Sequence, residues 1–473
     1  MGALMLGACS DPVSAEAHPR NLFVVSLDTL RADALGAYGN TRGTSPFLDE
    51  FAADGVLFEN AYSHTPKTAP AHMSLFSGLE PRVHGLGNFG TTGDQKLSKD
   101  VITLAQVLKR AGFTNIGVTS GGNVKGVLGF RRGFQAYDDK GRKMEDKLPL
   151  MDKWLEEVVD SGERWFGFFH TYQVHDPYLP PDPWRSLYVD PDYDGDVLGD
   201  NDELRAQIRA GENLAGEDTK GRDLLYENFW GRVRADDPED WKALENLYLA
   251  QVAWSDFDLG RAMRRWRNRG YFDDAVIAIT SDHGEAFGEH GKLQHHEMWK
   301  QLLHVPLLVQ HPDGRGAGRR VRAHVRHIDF MPSMLDLLGV PDVDVQRSGV
   351  SWAGWLLEEP AEDVREVWGE HRSVREAPLD LWSLRTPALS VVHEREGTMV
   401  VDRLEDPLEL HPVPLAEWDD VQREQAEALL ERAHALQLDL AARALDYRRS
   451  ANGEIDAEMR AELEALGYLQ PGE

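Results

Sequence analysis

The sequence predicts an α/β fold: a large layered domain with a central mixed sheet flanked by helices, followed by a smaller α+β domain. Short apolar segments rich in β-formers recur along the first 370 residues, and amphipathic segments separate them. Such segments are typical of strands buried on both faces, and their alternation with helices is typical of a layered sheet. After about residue 370 the pattern changes to short strand-like pieces and one long polar helix.

The predicted elements follow in chain order. The predicted core strands are 22–27, 116–119, 165–169, 275–280 and 305–309. The predicted helices are 47–53, opened by a proline, 101–111, ended by a glycine, and 241–269, also ended by a glycine. The acidic, glycine-rich segment 180–240 is predicted to be a surface excursion. In the last part of the chain, 398–401 is a predicted strand and 421–447 a predicted helix.

We therefore divide the chain into a truncated lipoprotein signal and linker (1–20), a catalytic domain (21–370) and a small domain (371–473). The single cysteine, Cys9, lies in Leu6-Gly7-Ala8-Cys9-Ser10, which resembles a bacterial lipobox. The apolar stretch before it is shorter than usual and has no basic start, so an ordinary chain terminus is the alternative. The lipobox reading predicts export to the periplasm or cell surface and a membrane contact only through a lipidated Cys9.

The composition restricts the partners. Acidic residues outnumber basic ones by 80 to 51, which gives a formal charge of −29. This charge argues against nucleic acid or anionic lipid as a general partner. No apolar run approaches the roughly 20 residues of a membrane-spanning helix.

Polar residues follow two of the predicted buried strands. Asp28 comes directly after strand 22–27, and Asp282 and His283 come after strand 275–280. Strand ends of an open α/β sheet commonly present ligands, and a carboxylate next to an imidazole suits a metal ion. Each residue could instead cap the next helix, but the two strand ends together favour a metal site.

Thr68 precedes a predicted helix that has Pro70 in its first turn and ends near Gly78. The free amides and positive dipole end of such a helix favour an anionic group or a deprotonated oxygen. Taken alone, a threonine in this place is more often only a helix cap.

Motifs in the same order and spacing resemble the sulfatase family of the alkaline-phosphatase superfamily over nearly the whole chain. They are Leu27-Asp28-Thr29-Leu30-Arg31-Ala32-Asp33, Gly36-Ala37-Tyr38-Gly39, Thr68-Ala69-Pro70-Ala71-His72, Ser77-Gly78-Leu79-Glu80-Pro81, His84-Gly85, His170, His175-Asp176-Pro177-Tyr178, Thr280-Ser281-Asp282-His283-Gly284, Gly288-Glu289-His290-Gly291, His304-Val305-Pro306-Leu307, His327-Ile328-Asp329, Leu404-Glu405-Asp406-Pro407 and Leu466-Gly467-Tyr468.

The resemblance implies that Asp28, Asp282 and His283 bind one divalent cation together with the side-chain oxygen of Thr68. The chain departs from the family at several positions: Thr29 replaces a second metal-binding aspartate, His283 an asparagine found in many members, and Thr68 the residue that becomes formylglycine. His72 replaces the arginine of the modification motif, so formylglycine cannot form. Two carboxylates and an imidazole favour manganese or zinc, with calcium or magnesium still possible.

The resemblance also supplies candidates for binding and proton transfer. His175 matches a histidine that binds the substrate oxyanion or protonates its leaving group. His295 and His296 lie near the position of a substrate-binding lysine of the family, and Lys67 and Lys292 are also close to it. Outside this pattern a lone histidine is more often a surface or core residue. The candidate catalytic residues are Thr68, His72, His175 and His296, and the candidate substrate-binding residues are Lys67, His175, His295 and Lys292.

A threonine nucleophile changes the expected reaction. Its ester must be broken by water attacking the central atom, as in the phosphatases and phosphodiesterases of the superfamily, so phosphate or phosphonate esters are favoured over sulfate esters. The substrate is expected to be an anionic ester of a small molecule, glycan or lipid. A sulfatase acting without formylglycine, a phosphotransferase and a non-catalytic binding relative stay open as alternatives.

Overall fold

A computed structural model of the chain describes residues 18–87, 97–141, 143–199, 229–341, 347–362, 365–373, 379–418 and 420–452. Its strands are β1 (Asn21–Leu27), β2 (Val56–Tyr62), β3 (Thr114–Val118), β4 (Ala136–Asp138), β5 (Trp165–Thr171), β6 (Ala275–Thr280), β7 (Ala286–Phe287), β8 (Leu293–Gln294), β9 (His304–Val305), β10 (Leu307–Gln310), β11 (Arg319–Arg326), β12 (Val367–Ser373), β13 (Leu379–Arg385), β14 (Leu389–Glu394), β15 (Gly397–Asp402) and β16 (Val413–Pro414). The α-helices of these residues are α1 (Pro46–Ala53), α2 (Thr68–Ser77), α3 (Pro81–His84), α4 (Leu104–Arg110), α5 (Met144–Asp160), α6 (Trp184–Tyr188), α7 (Pro238–Asn268), α8 (Lys300–Leu303), α9 (Phe330–Leu337) and α10 (Asp420–Asn452).

The central sheet has the strand order β11-β2-β10-β6-β1-β5-β3-β4, and β9 pairs with β2. Strand β1 pairs in parallel with β5 on one side and β6 on the other, whereas β10 runs antiparallel to β6. In the β1 register, Leu27 lies opposite Thr171 and Ser26 opposite Thr280. The carboxyl ends of β1, β5 and β6 therefore meet at one edge of the sheet, and the mixed-sheet α/β fold is confirmed.

Helices cover both faces of this sheet. Leu22 and Val24 of β1 belong to a core shared with α2, α4 and α9, and Phe23 and Val25 to a core shared with α1, α5 and α7. Neighbouring residues of a strand point to opposite faces, so a strand between two helical layers must be apolar at nearly every position. This explains why the β1 run is almost continuously apolar.

Two long strands do not follow the predicted pattern. Strand β2 carries Glu59 and Asn60 in its interior, and β11 is an edge strand with exposed arginines, so neither is a continuous apolar run. The predicted strand 305–309 is divided into β9 and β10 by Pro306, which has no N–H for a strand ladder. The other predicted core strands are confirmed to within about two residues.

A separate antiparallel sheet, β12-β13-β14-β15-β16, follows the catalytic sheet and packs against α10. Strand β15 contains the predicted strand 398–401, and α10 contains the predicted helix 421–447. The domain boundary at 370 stays a prediction. Residues 200–228 of the predicted excursion and the lipobox lie outside the described residues. Within the described part of the chain, no helix has the length and apolar character needed to cross a membrane.

Candidate active site

Asp28, Asp282 and His283 lie together at the carboxyl edge of the sheet, as predicted. One ligand atom from each lies within 4.8 Å of the others, and all three side chains are buried. Asp28 Oδ1, Asp282 Oδ2 and His283 Nε2 are buried and have no hydrogen-bond partner among the described residues. Buried polar atoms are normally paired. Three unpaired electron-pair donors that converge in this way fit a divalent cation.

Neighbouring groups orient two of these ligands. Asp282 Oδ1 accepts from the backbone N–H of Thr29 at 3.1 Å and of His283 at 2.9 Å, which leaves Oδ2 for a cation. His283 Nδ1 donates to the carbonyl of Gly284 at 2.9 Å, so Nε2 keeps its lone pair. Thr29 has φ 58°, an unfavourable left-handed conformation for a β-branched residue. The turn that requires it brings the Thr29 N–H to Asp282.

In the absence of a cation, the neighbouring carboxylates of Asp28 and Asp282 affect each other's pKa. Burial and the neighbouring Asp282 raise the pKa of Asp28 well above its ordinary value. Burial also acts to raise the pKa of Asp282, but His283 and His72 outweigh it and hold that pKa below its ordinary value. Asp28 Oδ2 lies 3.2 Å from Nε2 of His170. A divalent cation between the two carboxylates would stabilise the ionised form of both.

Thr68 is the first residue of α2 rather than the residue ahead of it, and it is 2% exposed. The phenol of Tyr172 lies near its side chain. One turn later, His72 Nδ1 donates to the Thr68 carbonyl at 2.9 Å, and His72 Nε2 accepts from Ser26 Oγ at 2.9 Å. His72 Nδ1 also lies 3.6 Å from Asp282 Oδ2. His72 thus connects Thr68, the candidate nucleophile, with β1 and with the candidate metal ligands.

Because both nitrogens of His72 are bound to interior groups, the geometry favours an orienting role for this residue. Burial lowers its pKa, which keeps the ring neutral. The catalytic role predicted for His72 stays a prediction.

Four of the five remaining candidates form one side of the site next to His283. The ring centroids of His283 and His295 lie 4.7 Å apart, and those of His295 and His175 lie 5.5 Å apart. Lys67 Nζ donates to the His295 carbonyl at 2.8 Å and lies 2.9 Å from His296 Nδ1. The chain therefore brings Lys67, His175, His295 and His296 together around the metal ligands.

Lys292 has a different environment. Its charge acts on Glu297 and Glu394, both on the side of the small sheet. Its predicted role in substrate binding stays a prediction.

Two carboxylates lie behind this group of histidines. His175 Nδ1 is 2.6 Å from Asp176 Oδ1; burial lowers the pKa of His175, but Asp176 outweighs it and raises that pKa to about 10. Glu285 accepts from the Tyr178 hydroxyl at 2.9 Å and lies 3.0 Å from His295 Nδ1. Burial and the nearby Asp176 raise the pKa of Glu285 to about 8. His175 therefore carries a proton at neutral pH.

Several residues of the site were not assigned a role from the sequence. His170 appears in the family motif, but its contact with Asp28 could not be read from spacing. Tyr172 lies near Thr68, and Glu285 lies 3.0 Å from His295 Nδ1. His371 lies on β12 of the small sheet. Burial is the main cause that lowers its pKa, and the nearby Lys67 and His296 lower it further. The polar end of β5 was the one sequence signal that could have indicated Tyr172.

Several known proteins are similar to this chain. A family model described as "Sulfatase" matches residues 20–340. A relative from Formosa agariphila named "Sulfatase" is 24% identical over 395 residues, covering 72% of this chain and 74% of its own. An N-acetylglucosamine-6-O-sulfatase from Bacteroides thetaiotaomicron is 21% identical over 405 residues, covering 72% and 71%.

A solved structure of the same fold is the phosphonate monoester hydrolase of Agrobacterium radiobacter. It is 23% identical in sequence, has a TM-score of 0.67, and the match covers 90% of this chain and 96% of that one. The family match spans well over half of the chain and contains the whole candidate metal centre. The chain therefore belongs to the sulfatase family of the alkaline-phosphatase superfamily and is an ester-hydrolysing enzyme.

Proposed function

We propose that this enzyme hydrolyses phosphate-type esters, namely phosphomonoesters, phosphodiesters or phosphonates, with Thr68 as the nucleophile. The proposal depends mainly on one observation: Thr68, buried at the first turn of α2, is linked through His72 to the three converging candidate ligands, because His72 Nδ1 donates to the Thr68 carbonyl and lies 3.6 Å from Asp282 Oδ2. Threonine offers a hydroxyl oxygen but no aldehyde to which a sulfate ester could collapse. Its covalent ester has to be resolved by attack of water on the central atom.

Asp28, Asp282, His283 and Thr68 Oγ1 would hold one divalent cation, with manganese or zinc favoured over calcium or magnesium because one ligand is an imidazole nitrogen. Such a cation lowers the pKa of a bound hydroxyl and stabilises negative charge on the oxygens of the transferred group. The unpaired buried Nε2 of His283 supports this ligand set.

Side chains of the enzyme then have separate roles in the two steps of the reaction. Thr68 Oγ1 loses its proton to solvent and forms a bond to phosphorus, while the leaving-group oxygen departs with the bonding electron pair. His175, protonated because of Asp176, gives that oxygen a proton. In the second step a water oxygen bonds to phosphorus and gives a proton to His175, the bond to Thr68 Oγ1 breaks, and Thr68 recovers a proton from solvent. Inorganic phosphate is released from a phosphomonoester, a phosphate monoester from a phosphodiester, and a phosphonate from a phosphonate ester.

We infer that Lys67, His295 and His296 bind the non-bridging oxygens of the substrate, because they lie together beside His283. The ammonium of Lys67 and the protonated ring of His175 would attract an anionic ester in spite of the chain's net charge of −29. The substrate is an ester of a small molecule, glycan or lipid rather than a nucleic acid. Export with a lipid anchor at Cys9 completes this proposal.

A sulfate ester is the second candidate. It is favoured by one observation, that many relatives, including the one from Formosa agariphila, are named sulfatases. In that case the same threonine would transfer a sulfuryl group without formylglycine.

Paired nitrophenyl substrates distinguish the two candidates. Purified protein loaded with Mn, Zn, Ca or Mg is assayed on the sulfate, phosphate, phosphodiester and phosphonate esters. We expect a phosphorus ester to give the highest kcat/KM with every active metal. A preference for the sulfate that persists through metal exchange would contradict the proposal.

The role of Thr68 is tested with Thr68→Ala, which should abolish turnover. The matched control is Ser77→Ala at the other end of α2, where the hydroxyl donates to the Met73 carbonyl at 2.7 Å. Ser77→Ala should keep its activity. Mass spectrometry of acid-quenched enzyme should locate the transferred group on Thr68.

A further inference from the structure

The side chain of Tyr248 contacts the backbone turn that follows Asp28, formed by residues 29–31. Its hydroxyl donates to the carbonyl of Thr29 at 3.0 Å and accepts from the backbone N–H of Arg31 at 2.8 Å. One oxygen therefore joins both ends of the turn. Tyr248 lies on α7, 219 residues from Thr29 in sequence, and is 1% exposed. It has no part in the reaction described above.

This turn is in contact with two of the candidate metal ligands. It begins directly after Asp28, and the Thr29 N–H donates to Asp282 Oδ1 at 3.1 Å. Thr29 has φ 58°, and a β-branched residue keeps this left-handed conformation only where the surrounding contacts impose it. The hydroxyl of Tyr248 makes two of these contacts.

The phenol itself is held in place by packing. The centroid of its ring lies 4.8 Å from that of Phe287 and 5.6 Å from that of Tyr178. The N–H of Leu30, in the middle of the turn, donates to Ser281 Oγ at 2.9 Å. Tyr248 is therefore a fixed support at the ends of a turn whose middle is bonded to the Asp282 loop.

We propose that Tyr248 is a positioning residue of the metal centre: it holds the left-handed turn at Thr29, which keeps Oδ1 of Asp282 bonded to the protein and leaves Oδ2 for a cation. This inference rests on the metal ligands of the proposed function. The hydroxyl of Tyr248 is bonded to backbone groups on both sides, so it acts through the turn rather than as a ligand.

The physical basis is the strain of the turn. Without the hydroxyl, the Thr29 carbonyl and the Arg31 N–H lose a buried partner, and Thr29 can relax towards the extended conformation that a β-branched residue prefers. Its N–H then leaves Asp282, whose carboxylate is free to rotate. A cation must order this carboxylate again at an entropic cost, so the cation binds more weakly.

The test is Tyr248→Phe, which removes the hydroxyl and keeps the ring. The measured quantity is the Kd of the metal-free protein for Mn²⁺, obtained from the electron paramagnetic resonance signal of the free ion. We expect this Kd to rise by about 10-fold or more, as for the loss of other groups that orient metal ligands.

The matched control is Tyr38→Phe. The Tyr38 hydroxyl also bridges two backbone groups, since it donates to the Phe58 carbonyl at 2.9 Å and accepts from the Leu307 N–H at 3.0 Å. Both variants should unfold at a lower urea concentration than the wild type, but only Tyr248→Phe should bind Mn²⁺ more weakly. Lower stability of both variants with unchanged Kd values would overturn the inference, because it would show a purely structural role.

The outcomes also separate this inference from the proposed function. If Asp282→Asn binds Mn²⁺ as tightly as the wild type, the proposed ligand set is wrong. If Asp282→Asn loses Mn²⁺ while Tyr248→Phe has the Kd of the wild type, only the inference about Tyr248 is wrong.

Thr29→Gly provides a second measurement should Tyr248→Phe fail to fold. Glycine adopts the left-handed conformation without strain, so the turn then depends less on the phenol. We expect the double variant to fold and its Kd for Mn²⁺ to lie within about three-fold of that of Thr29→Gly. A double variant that does not fold, or that loses as much affinity as Tyr248→Phe loses alone, would overturn the inference.

Discussion

Replacing Glu409 by glutamine tests the buried ion pair that joins the small sheet to the substrate side of the active site. Glu409 is fully buried, and Arg385 donates to both of its oxygens, at 2.8 and 2.7 Å. Ser390 Oγ donates to it at 2.6 Å, and the backbone N–H of Lys300 at 3.1 Å. Arg385 also donates to the carbonyl of Met298. The pair therefore holds the segment that directly follows His295 and His296.

The magnitude follows from the pKa of Glu409. Burial acts to raise this pKa, but Arg385 and the other donors outweigh burial and lower it from 4.5 to about 2. At about 1.4 kcal/mol per pKa unit, the shift corresponds to about 3 kcal/mol in favour of the folded state. Because the folded pKa is below the unfolded one, this stabilisation is fully present above pH 4.5 and is lost as the pH falls towards 2.

Urea unfolding at several pH values checks the prediction. We expect Glu409→Gln to lower the free energy of unfolding by about 3 kcal/mol at pH 7 and the difference from wild type to shrink as the pH approaches 2. The matched control is Glu405→Gln, an exposed residue of the same loop, which should change it by less than about 0.5 kcal/mol. A loss for Glu409→Gln that stays constant between pH 7 and pH 2.5 would refute the electrostatic explanation.

Three further predictions concern the metal, the proton donor and a helix cap. Asp282→Asn should reduce bound metal by more than about ten-fold, as measured by elemental analysis of dialysed protein; full metal retention would exclude Asp282 as a ligand. The kcat/KM for substrates with poor leaving groups should fall as the pH rises through about 10, where His175 loses its proton, and Asp176→Asn should move this fall to lower pH. An unchanged profile would exclude His175 as the donor. Thr103→Ala removes the capping box with Gln106 at the start of α4 and should cost about 1 kcal/mol in urea unfolding; no loss would show that the cap is dispensable.

The central part of the fold was predictable because buried parallel strands have a strong pattern. Strands β1, β5 and β6 are apolar at nearly every position, since each lies between two helical layers. Strand β11 lies at the sheet edge and exposes arginines to solvent, so its sequence resembles that of a polar loop. The order of strands could not be predicted, because periodicity shows which faces are buried but not which strand lies beside which.

Some residues of the candidate site could also be predicted from a local sequence pattern, and others could not. Asp28, Asp282 and His283 could be proposed because residues after parallel strands meet at one edge of a sheet, and their proximity is now visible in the structure. Tyr172 and His371 were not proposed. Thr68 lies 104 residues from Tyr172, and His296 and Lys67 lie 75 and 304 residues from His371. Such neighbours follow from the packing of whole elements rather than from a local pattern.

The orientation of the metal ligands is the property that the sequence could not indicate and on which the chemistry most depends. Each candidate ligand has one polar atom hydrogen-bonded within the protein and a second polar atom that is available to a cation. Asp282 accepts from the backbone N–H of Thr29, and His283 donates to the carbonyl of Gly284. Asp28 divides its two oxygens in the same way, with His170 beside one of them. The ligands are thus oriented by folding itself, so a cation would bind without the entropic cost of ordering them. The left-handed turn at Thr29 would then have a functional explanation: its conformational strain would be the cost of a backbone donor that leaves Oδ2 of Asp282 for a cation.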